Sequence, residues 1–422
     1  MTGFWELMNT DVNPVVLVSD GTYGGAAIAC SRLRRGLLGL GENVQWISLN
    51  GVQTREVTVV ATWPPLMPLL THRIVMAITR SESCRRWACD QVGNAAMLAC
   101  VGKIRPRLIN LHGIHEGMTF RLAERLPRQL PLVWTLHDMW PITGYCCHSM
   151  ECDKYATGCF GDCPQMGAWG KALRSPEHEW RRRNAFFRST QKRLILVSPS
   201  QWLAGCARRR VPGNVRVEHI PNGIDLNIFR PLSSQECAKQ VLGLPTDQPV
   251  ILGGACSLSD KLKGASILVA ALSRLRAAGV RFTFVTFGDA ATPLMEGEHR
   301  LGVVRDEAAL NLCYNAADIF VHPSLADNLP NVLIESLAAG TPCVTTHVGG
   351  CPEIITDGRT GLVAKAQNIE NLAYCIHEIL ASPQSVQRAM RTECREVAER
   401  NYSLELMASR YDKLFQLMVE RG

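Results

Sequence analysis

Two carboxylates lie eight positions apart in the stretch HPSLADNLPNVLIESLAAGTP, residues 322–342. The pattern predicts a polar loop over 323–330 after a buried strand, and then a short helix over 331–339. Asp327 falls in the loop and Glu335 on the helix, at the carboxyl end of a strand, where open α/β sheets bind ligands. Ionised carboxylates only accept hydrogen bonds, so the pair suits the hydroxyls of a ribose or hexose. The alternative is a helix N-terminus carrying ordinary acidic residues.

Two lysines occupy an earlier strand-to-helix turn, in GGACSLSDKLKGASIL, residues 253–268. Lys261 and Lys263 come just before the helix that begins near Gly264. Ammonium groups beside a helix N-terminus can clamp a diphosphate, because cations and backbone donors converge on one anion. A solvated basic turn is the competing interpretation.

Two turns in the first half of the chain offer further candidates. His137 and Asp138 follow a predicted strand in WTLHDMWPITG, where an imidazole could accept a proton or hydrogen-bond a sugar hydroxyl. A structural histidine is an equal alternative. Gly25 lies in the glycine-rich turn SDGTYGGAAIA, whose free backbone N–H groups could bind an anion. Its spacing is not that of a dinucleotide fingerprint, and a packing turn without ligand explains it equally well.

Five of the chain's 17 cysteines lie within residues 146–163. Cys147, Cys152, Cys159 and Cys163 have spacings that fit a structural zinc site. This loop-like segment can bury little apolar surface, and a metal ion would hold it together. Unligated thiols or a disulfide remain alternatives.

These candidates depend on the elements that position them. At 422 residues the chain predicts two domains. Short apolar runs alternate with helical stretches and restart after HIPNGIDLNIFRP, which predicts two α/β, Rossmann-like, doubly wound domains. The predicted boundaries are residues 1–210 with a cysteine-rich insertion at 144–165, residues 211–400, and a C-terminal helix at 401–422 that packs back on the first domain.

The composition predicts a globular protein, with 46% hydrophobic and 20% charged residues. A net charge of +7 favours phosphate-bearing partners or an anionic membrane face, and no nucleic-acid partner is expected. MTGFWELMNTDVNP does not resemble a secretory signal, and no apolar run is long enough to span a membrane, so a cytoplasmic protein is expected. The basic, aromatic segment 177–193 suggests peripheral association with the inner face of the plasma membrane; core contacts are the alternative.

Several motifs together resemble those of family 4 glycosyltransferases with the GT-B fold, in which two Rossmann-like domains face a central cleft. The motifs are WTLHDMWPITG, SPSQWLA, PNGID, KLKG, DNLPNVLIESLAAGTP and GGCPEIITDGRTGLV. Asp327 stands in for the first Glu of the family's Glu-x7-Glu signature. The extension TGYCCHSMECDKYATGCFGDCPQ is similar to a subgroup, including colanic acid-type transferases, that builds exopolysaccharide or O-antigen units.

This resemblance implies a retaining transfer of a hexose from a UDP- or GDP-sugar to a carbohydrate or lipid-linked acceptor. The first domain would bind the acceptor and the second the nucleotide-sugar. The residues it implicates are Glu335 at the ribose, Asp327 with Gly350 and Glu353 at the donor sugar, Lys263 with Lys261 at the diphosphate, and His137 in the cleft. No metal is expected for catalysis, since a lysine clamp can stabilise the leaving group and no Asp-x-Asp motif is present.

Two other functional classes remain open from the sequence. One is a nucleotide-sugar epimerase of similar architecture; a phosphorylase is disfavoured, because it would need a lysine for pyridoxal phosphate in a context that this sequence does not show. The other is a non-catalytic nucleotide-sugar-binding subunit. Asp327 in place of a glutamate, and the absence of the arginine that the family usually carries at the KLKG turn, favour the second.

Overall fold

The computed structural model describes residues 13–51, 54, 56–60, 82–115, 119–165 and 175–420. The segment MTGFWELMNTDVNP, which is not expected to be a secretory signal, lies largely outside these residues. The chain divides into two compact units. Unit 1 comprises residues up to Pro199, Leu203–Ile220 and the C-terminal residues from Ala408. Unit 2 comprises Ser200–Trp202 and Pro221–Met407.

Unit 1 is built on a parallel sheet of seven strands in the order β3-β2-β1-β4-β5-β6-β7. The strands are β1 (Val15–Ser19), β2 (Val44–Ser48), β3 (Val57–Val59), β4 (Leu108–Leu111), β5 (Leu132–Thr135), β6 (Leu194–Ser198) and β7 (Arg216–His219). The inner strand β1 is buried along its whole length. Continuous apolar sequence of this kind is typical of parallel strands covered on both faces.

Unit 2 repeats the design with six parallel strands in the order β10-β9-β8-β11-β12-β13. They are β8 (Val250–Ser257), β9 (Thr283–Asp289), β10 (Glu298–Arg300), β11 (Ile319–His322), β12 (Cys343–Thr346) and β13 (Gly361–Ala364). Successive residues of β8 point to opposite faces of the sheet. Leu252 belongs to the apolar cluster on one face, and Ile251 belongs to the cluster on the other.

Helices connect the strands. They are α1 (Gly25–Gly39), α2 (Glu82–Ile104), α3 (Arg121–Arg125), α4 (Pro176–Thr190), α5 (Gln201–Arg210), α6 (Gln235–Val241), α7 (Ala265–Ala277), α8 (Glu307–Ala316), α9 (Asn331–Ala338), α10 (Cys351–Ile354), α11 (Ile369–Ala381), α12 (Gln384–Asn401) and α13 (Leu404–Glu420). The helix predicted over 331–339 is confirmed as α9, and Gly340 ends it, since its φ is 75° and its N–H donates to the carbonyl of Leu337.

The two Rossmann-like sheets confirm the predicted fold class, but the domain limits differ in detail. The predicted limit at residue 210 cuts off β7, which pairs with β6 and completes the first sheet. The boundary between the two units falls within the C-terminal helix α13, between Met407 and Ala408, and the residues from Ala408 onward belong to unit 1. There the Tyr411 hydroxyl lies 2.9 Å from Thr135 Oγ1. Among the helices that the structure describes, none is both long and apolar enough to cross a membrane.

Candidate functional site

The sheet of unit 2 reverses its strand order between β8 and β11, which pair although they are not consecutive. In open α/β sheets such a switch point opens a crevice at the carboxyl ends of the strands. The KLKG turn follows β8, and the loop carrying Asp327 follows β11. Two hydrogen bonds join these loops: Leu325 N and Ser324 Oγ both donate to the carbonyl of Leu262, at 2.7 and 2.8 Å.

Two glycines permit the close approach of backbone that this site requires. Gly264 has a φ of 70°, and a Cβ there would lie 1.9 Å from the carbonyl oxygen of Pro323. Gly349 has a φ of 51°, and a Cβ there would lie 1.8 Å from the carbonyl oxygen of Asp327. A side chain at either position would push the loop after β11 away from its neighbours.

Asp327 forms the centre of a charged cluster. Its Oδ2 accepts a hydrogen bond from Lys263 Nζ at 2.8 Å and lies 3.1 Å from His322 Nε2. Its Oδ1 accepts from the N–H of Asn328 at 3.0 Å. Burial opposes ionisation of this carboxyl, but Lys263 and His322 outweigh it and hold the pKa of Asp327 well below its usual range. The aspartate is therefore a fixed anion.

Lys263 is the cation that faces this anion. Burial alone would lower the pKa of Lys263, yet the charge of Asp327 overcomes it and raises that pKa. A small pocket lies beside the ammonium group, with Gly254, Thr286 and His322 among its lining residues. Lys261, on the same short turn, is exposed. The structure thus brings Lys263 and Asp327 together and leaves Lys261 at the surface.

Glu335 lies on α9 and is almost fully buried, with 2% of its surface exposed. The hydroxyl of Tyr314 donates to its Oε2 at 3.0 Å. Tyr314 is itself fully buried on α8, and burial, followed by the charge of Glu335, raises the pKa of its phenol. The tyrosine stays a neutral donor, and it fixes the orientation of the carboxylate.

Glu353 and Gly350 lie on the turn that begins α10. The Glu353 carboxylate accepts from the backbone N–H groups of Gln201 at 2.7 Å and Trp202 at 2.6 Å, the first two residues of α5. A Cβ at position 350 would lie 2.1 Å from the carbonyl oxygen of Asn328. Both residues therefore have structural contacts within unit 2, which a donor sugar would have to share or displace.

His137 and Gly25 belong to unit 1. His137 Nε2 lies 2.8 Å from Nδ1 of His112, whose Nε2 lies 3.2 Å from Asn110 Oδ1. Burial lowers the pKa of His137 to about 4, so the ring is neutral near neutral pH and can exchange hydrogen bonds with a hydroxyl, although it is a weak base. Gly25 is the first residue of α1, and Gly24 before it has a φ of 87°. The turn has the left-handed geometry that glycine favours.

The four cysteines of the predicted zinc site do not gather as expected. Among the described residues, no three of Cys147, Cys152, Cys159 and Cys163 bring their sulfurs within 4.8 Å of one another. The carbonyl of Cys147 accepts from the N–H of Met139 at 2.8 Å, which holds Cys147 beside the segment that follows β5. None of the four forms a disulfide with another described residue.

Sequence reasoning did not identify three partners of the candidate residues: His322, Tyr314 and His112. His322 ends β11, so its place at the strand's carboxyl end was a usable signal. Tyr314 and His112 lie in apolar stretches that predict only core, and their roles depend on contacts across the fold.

Two family models match the chain. The model described as Glycosyltransferase Family 4 matches residues 23–228, and that described as Glycosyl transferases group 1 matches residues 249–382. The two matches fall on the two sheets described above.

Relatives with similar sequences include the putative colanic acid biosynthesis glycosyl transferase WcaC of Escherichia coli, 26% identical over 74% of this chain and 76% of that protein. The D-inositol 3-phosphate glycosyltransferase of Segniliparus rotundus is 34% identical over 42% of this chain and 41% of that protein. The chain thus spans three quarters of the first relative and less than half of the second.

Solved structures share the fold. The sucrose-phosphate synthase of Thermosynechococcus elongatus superposes with a TM-score of 0.72 at 20% identity, covering 97% of this chain and 100% of that one. HepE of Anabaena, solved in complex with UDP-glucose, gives 0.68 at 15% identity, covering 96% and 99%. With both sheets matched by the two glycosyltransferase family models, the chain belongs to the family 4 glycosyltransferases of GT-B fold.

Proposed function

We propose that this glycosyltransferase moves a hexose from a nucleotide-diphosphate sugar to a carbohydrate or lipid-linked acceptor, with retention of the anomeric configuration. The observation that carries the proposal is the Lys263–Asp327 pair at the switch point of unit 2. A half-buried cation beside a loop-borne carboxylate, with the buried Glu335 on the helix that follows the same loop, matches the needs of a diphosphate with a sugar on either side.

The chemistry assigned to each residue follows from its charge. Breaking the glycosyl–phosphate bond leaves negative charge on the departing diphosphate, and the ammonium of Lys263, assisted by Lys261, stabilises that charge. Asp327 accepts from donor-sugar hydroxyls, while Glu335 accepts from the ribose. His137, a neutral and half-buried imidazole, hydrogen-bonds a hydroxyl of donor or acceptor. In this scheme the protein's own cations act on the leaving group without a catalytic metal ion.

The relatives indicate where to begin the search for substrates. The name of WcaC concerns colanic acid, which favours an acceptor used in exopolysaccharide, capsule or O-antigen synthesis. HepE was solved with UDP-glucose, so UDP-sugars come first in a donor screen and GDP-sugars second. If the acceptor is lipid-linked, the enzyme would act at the inner face of the plasma membrane, where such an acceptor is anchored.

A donor screen followed by a transfer assay tests the proposal. Ligands that bind only the folded state raise its apparent stability, so the true donor should raise the melting temperature among a panel of UDP- and GDP-sugars. With that donor, radiolabel should appear in an extracted lipid-linked acceptor only when both substrates are present. Interconversion of the donor without acceptor would instead indicate an epimerase.

A pair of variants connects the activity to the site. Lys263→Ala should lower kcat by about 100- to 1,000-fold, the range expected when one group that stabilises a developing charge is removed. Lys365→Ala, at an exposed lysine of the same unit, is the matched control and should retain activity. Equal activity in both variants would disprove the assignment of Lys263.

A further inference from the structure

A group of potential metal ligands in unit 1 lies outside the roles assigned so far. The donor atoms of His115, Asp138 and Cys147 lie within 4.8 Å of one another, and theirs is the one such group of three among the described residues. Their side chains come from three segments: the loop after β4, the loop after β5, and the turn beyond residues 140–142.

We infer that His115, Asp138 and Cys147 bind a divalent ion of the zinc class. The donor set is an imidazole nitrogen, a carboxylate oxygen and a thiolate sulfur, all of which are ordinary zinc ligands. This set differs from the four-cysteine site expected from the sequence, because it takes Cys147 from that group and adds a histidine and an aspartate.

The geometry needs little change to accept the ion. Zinc bonds of about 2.0–2.3 Å place tetrahedral ligand atoms about 3.4–3.7 Å apart. His115 Nε2 and Asp138 Oδ2 are now hydrogen-bonded at 2.8 Å, so the ion would replace the shared proton as the two atoms separate slightly. The thiol would lose its proton on binding. Three protein ligands leave a fourth position for water.

A neighbouring hydrogen bond already orients one of the ligands, and a carboxylate lies near a second. The other oxygen of Asp138 accepts from the N–H of Trp140 at 2.8 Å, which leaves Oδ2 to face His115. On the far side of the imidazole, Asp20 Oδ2 lies 3.9 Å from His115 Nδ1. A carboxylate on that side is the usual partner of a zinc-bound histidine.

Burial is also suitable, since the side chains of His115 and Asp138 are 25% and 17% exposed and Cys147 is 9% exposed. An ion can reach the site from solvent, and the site still excludes most water. Because the ligands come from three segments, the ion would cross-link them and raise the melting temperature of the full-length protein.

Metal analysis of purified full-length protein tests the site. Apoprotein dialysed against ZnCl2 and then against metal-free buffer should retain roughly one zinc per chain, as expected for a preformed site. Loading with CoCl2 should give a thiolate-to-cobalt charge-transfer band in the near ultraviolet. Cys147→Ser should abolish that band, and His115→Gln should weaken zinc affinity by at least about tenfold.

Cys152→Ser and Cys163→Ser are the matched controls, since they lie in the same cysteine-rich segment, and they should keep both zinc and the band. Far-ultraviolet circular dichroism identifies any variant that fails to fold. If Cys147→Ser does not fold, His115→Gln still tests the site, because it removes a different ligand and leaves the thiol of Cys147 in place. The inference is overturned if the wild-type protein retains no zinc. It is also overturned if the Cys152→Ser or Cys163→Ser variant loses zinc while the Cys147→Ser and His115→Gln variants retain it.

Discussion

Lys263 and Asp327 belong to different strand-to-helix connections, yet the lysine Nζ donates to the aspartate Oδ2 at 2.8 Å. The two connections follow β8 and β11, which are adjacent only because the strand order reverses between them. The pair therefore exists as a consequence of topology, and it holds the cation in place before any anion binds. A preorganised charge of this kind needs no reorganisation when a leaving group develops its own charge.

Asp327→Asn should destabilise unit 2, because Lys263 then lacks its buried counter-ion. Losing a hydrogen bond between charged groups costs about 1.5–3 kcal/mol, and the 28% exposure of Lys263 places the cost near the lower end. Chemical denaturation at neutral pH measures this loss. Asp247→Asn, at an exposed aspartate of the same unit, is the control.

The same variant should change how stability depends on pH. The pKa of Asp327 is lower in the folded protein than in the unfolded chain, where it is about 3.9. Its contribution is therefore fully present above that unfolded pKa and is lost as pH falls toward the folded pKa. Wild-type protein should lose stability between neutral pH and pH of about 3 more steeply than Asp327→Asn, and parallel profiles would contradict the ion pair.

Gly264→Ala should displace the loop that carries Asp327. The residue has a φ of 70°, and the added Cβ would meet the carbonyl oxygen of Pro323 at 1.9 Å. The left-handed conformation alone costs about 1–2 kcal/mol for a residue with a side chain, and the clash adds to it. Donor affinity, measured by calorimetry, should fall together with the melting temperature.

Gly243→Ala is the control for this backbone effect. Gly243 also has a positive φ, 68°, but an added Cβ would have no heavy atom within 4 Å. The Gly243→Ala variant should therefore lose only the stability that the left-handed backbone conformation costs, and its affinity for the donor should stay unchanged. Equal donor affinity in both variants would show that the approach of the two loops does not matter for binding.

The two sheets and the position of the switch-point residues could be predicted from sequence, because strand ends are marked by apolar runs followed by Gly, Pro and Asp. Lys263, Asp327 and Glu335 were found in this way. Their partners were not, since His322 and Tyr314 act through contacts that join residues five and 21 positions apart across the fold. The proximity of Cys147 to His115 and Asp138 was equally hidden, because these residues lie on three separate segments that only the fold brings together.

Glu353→Gln separates a structural role from a donor-binding one. Both carboxylate oxygens accept N–H groups at the start of α5, so replacing one oxygen with an amide nitrogen removes one acceptor. Loss of a helix cap costs about 1 kcal/mol. If capping is its main role, thermal stability should fall while the KM for the donor stays unchanged. A raised KM with unchanged stability would indicate the donor sugar instead. Glu370→Gln, at an exposed residue, is the control.

Tyr314→Phe tests whether a buried hydroxyl holds Glu335 in its binding orientation. The variant keeps the ring, which packs edge-on against Phe320 at 5.3 Å between centroids, and removes only the donor to Oε2. The loss of a hydrogen bond to a buried carboxylate lowers the free energy of unfolding by about 1–3 kcal/mol. If Glu335 accepts from the ribose, its looser orientation should also weaken binding of the nucleoside diphosphate, measured by isothermal calorimetry. Tyr374→Phe, at a 57% exposed tyrosine, should change neither quantity. Reduced stability with unchanged nucleotide affinity would restrict Tyr314 to the core and remove Glu335 from the ribose site.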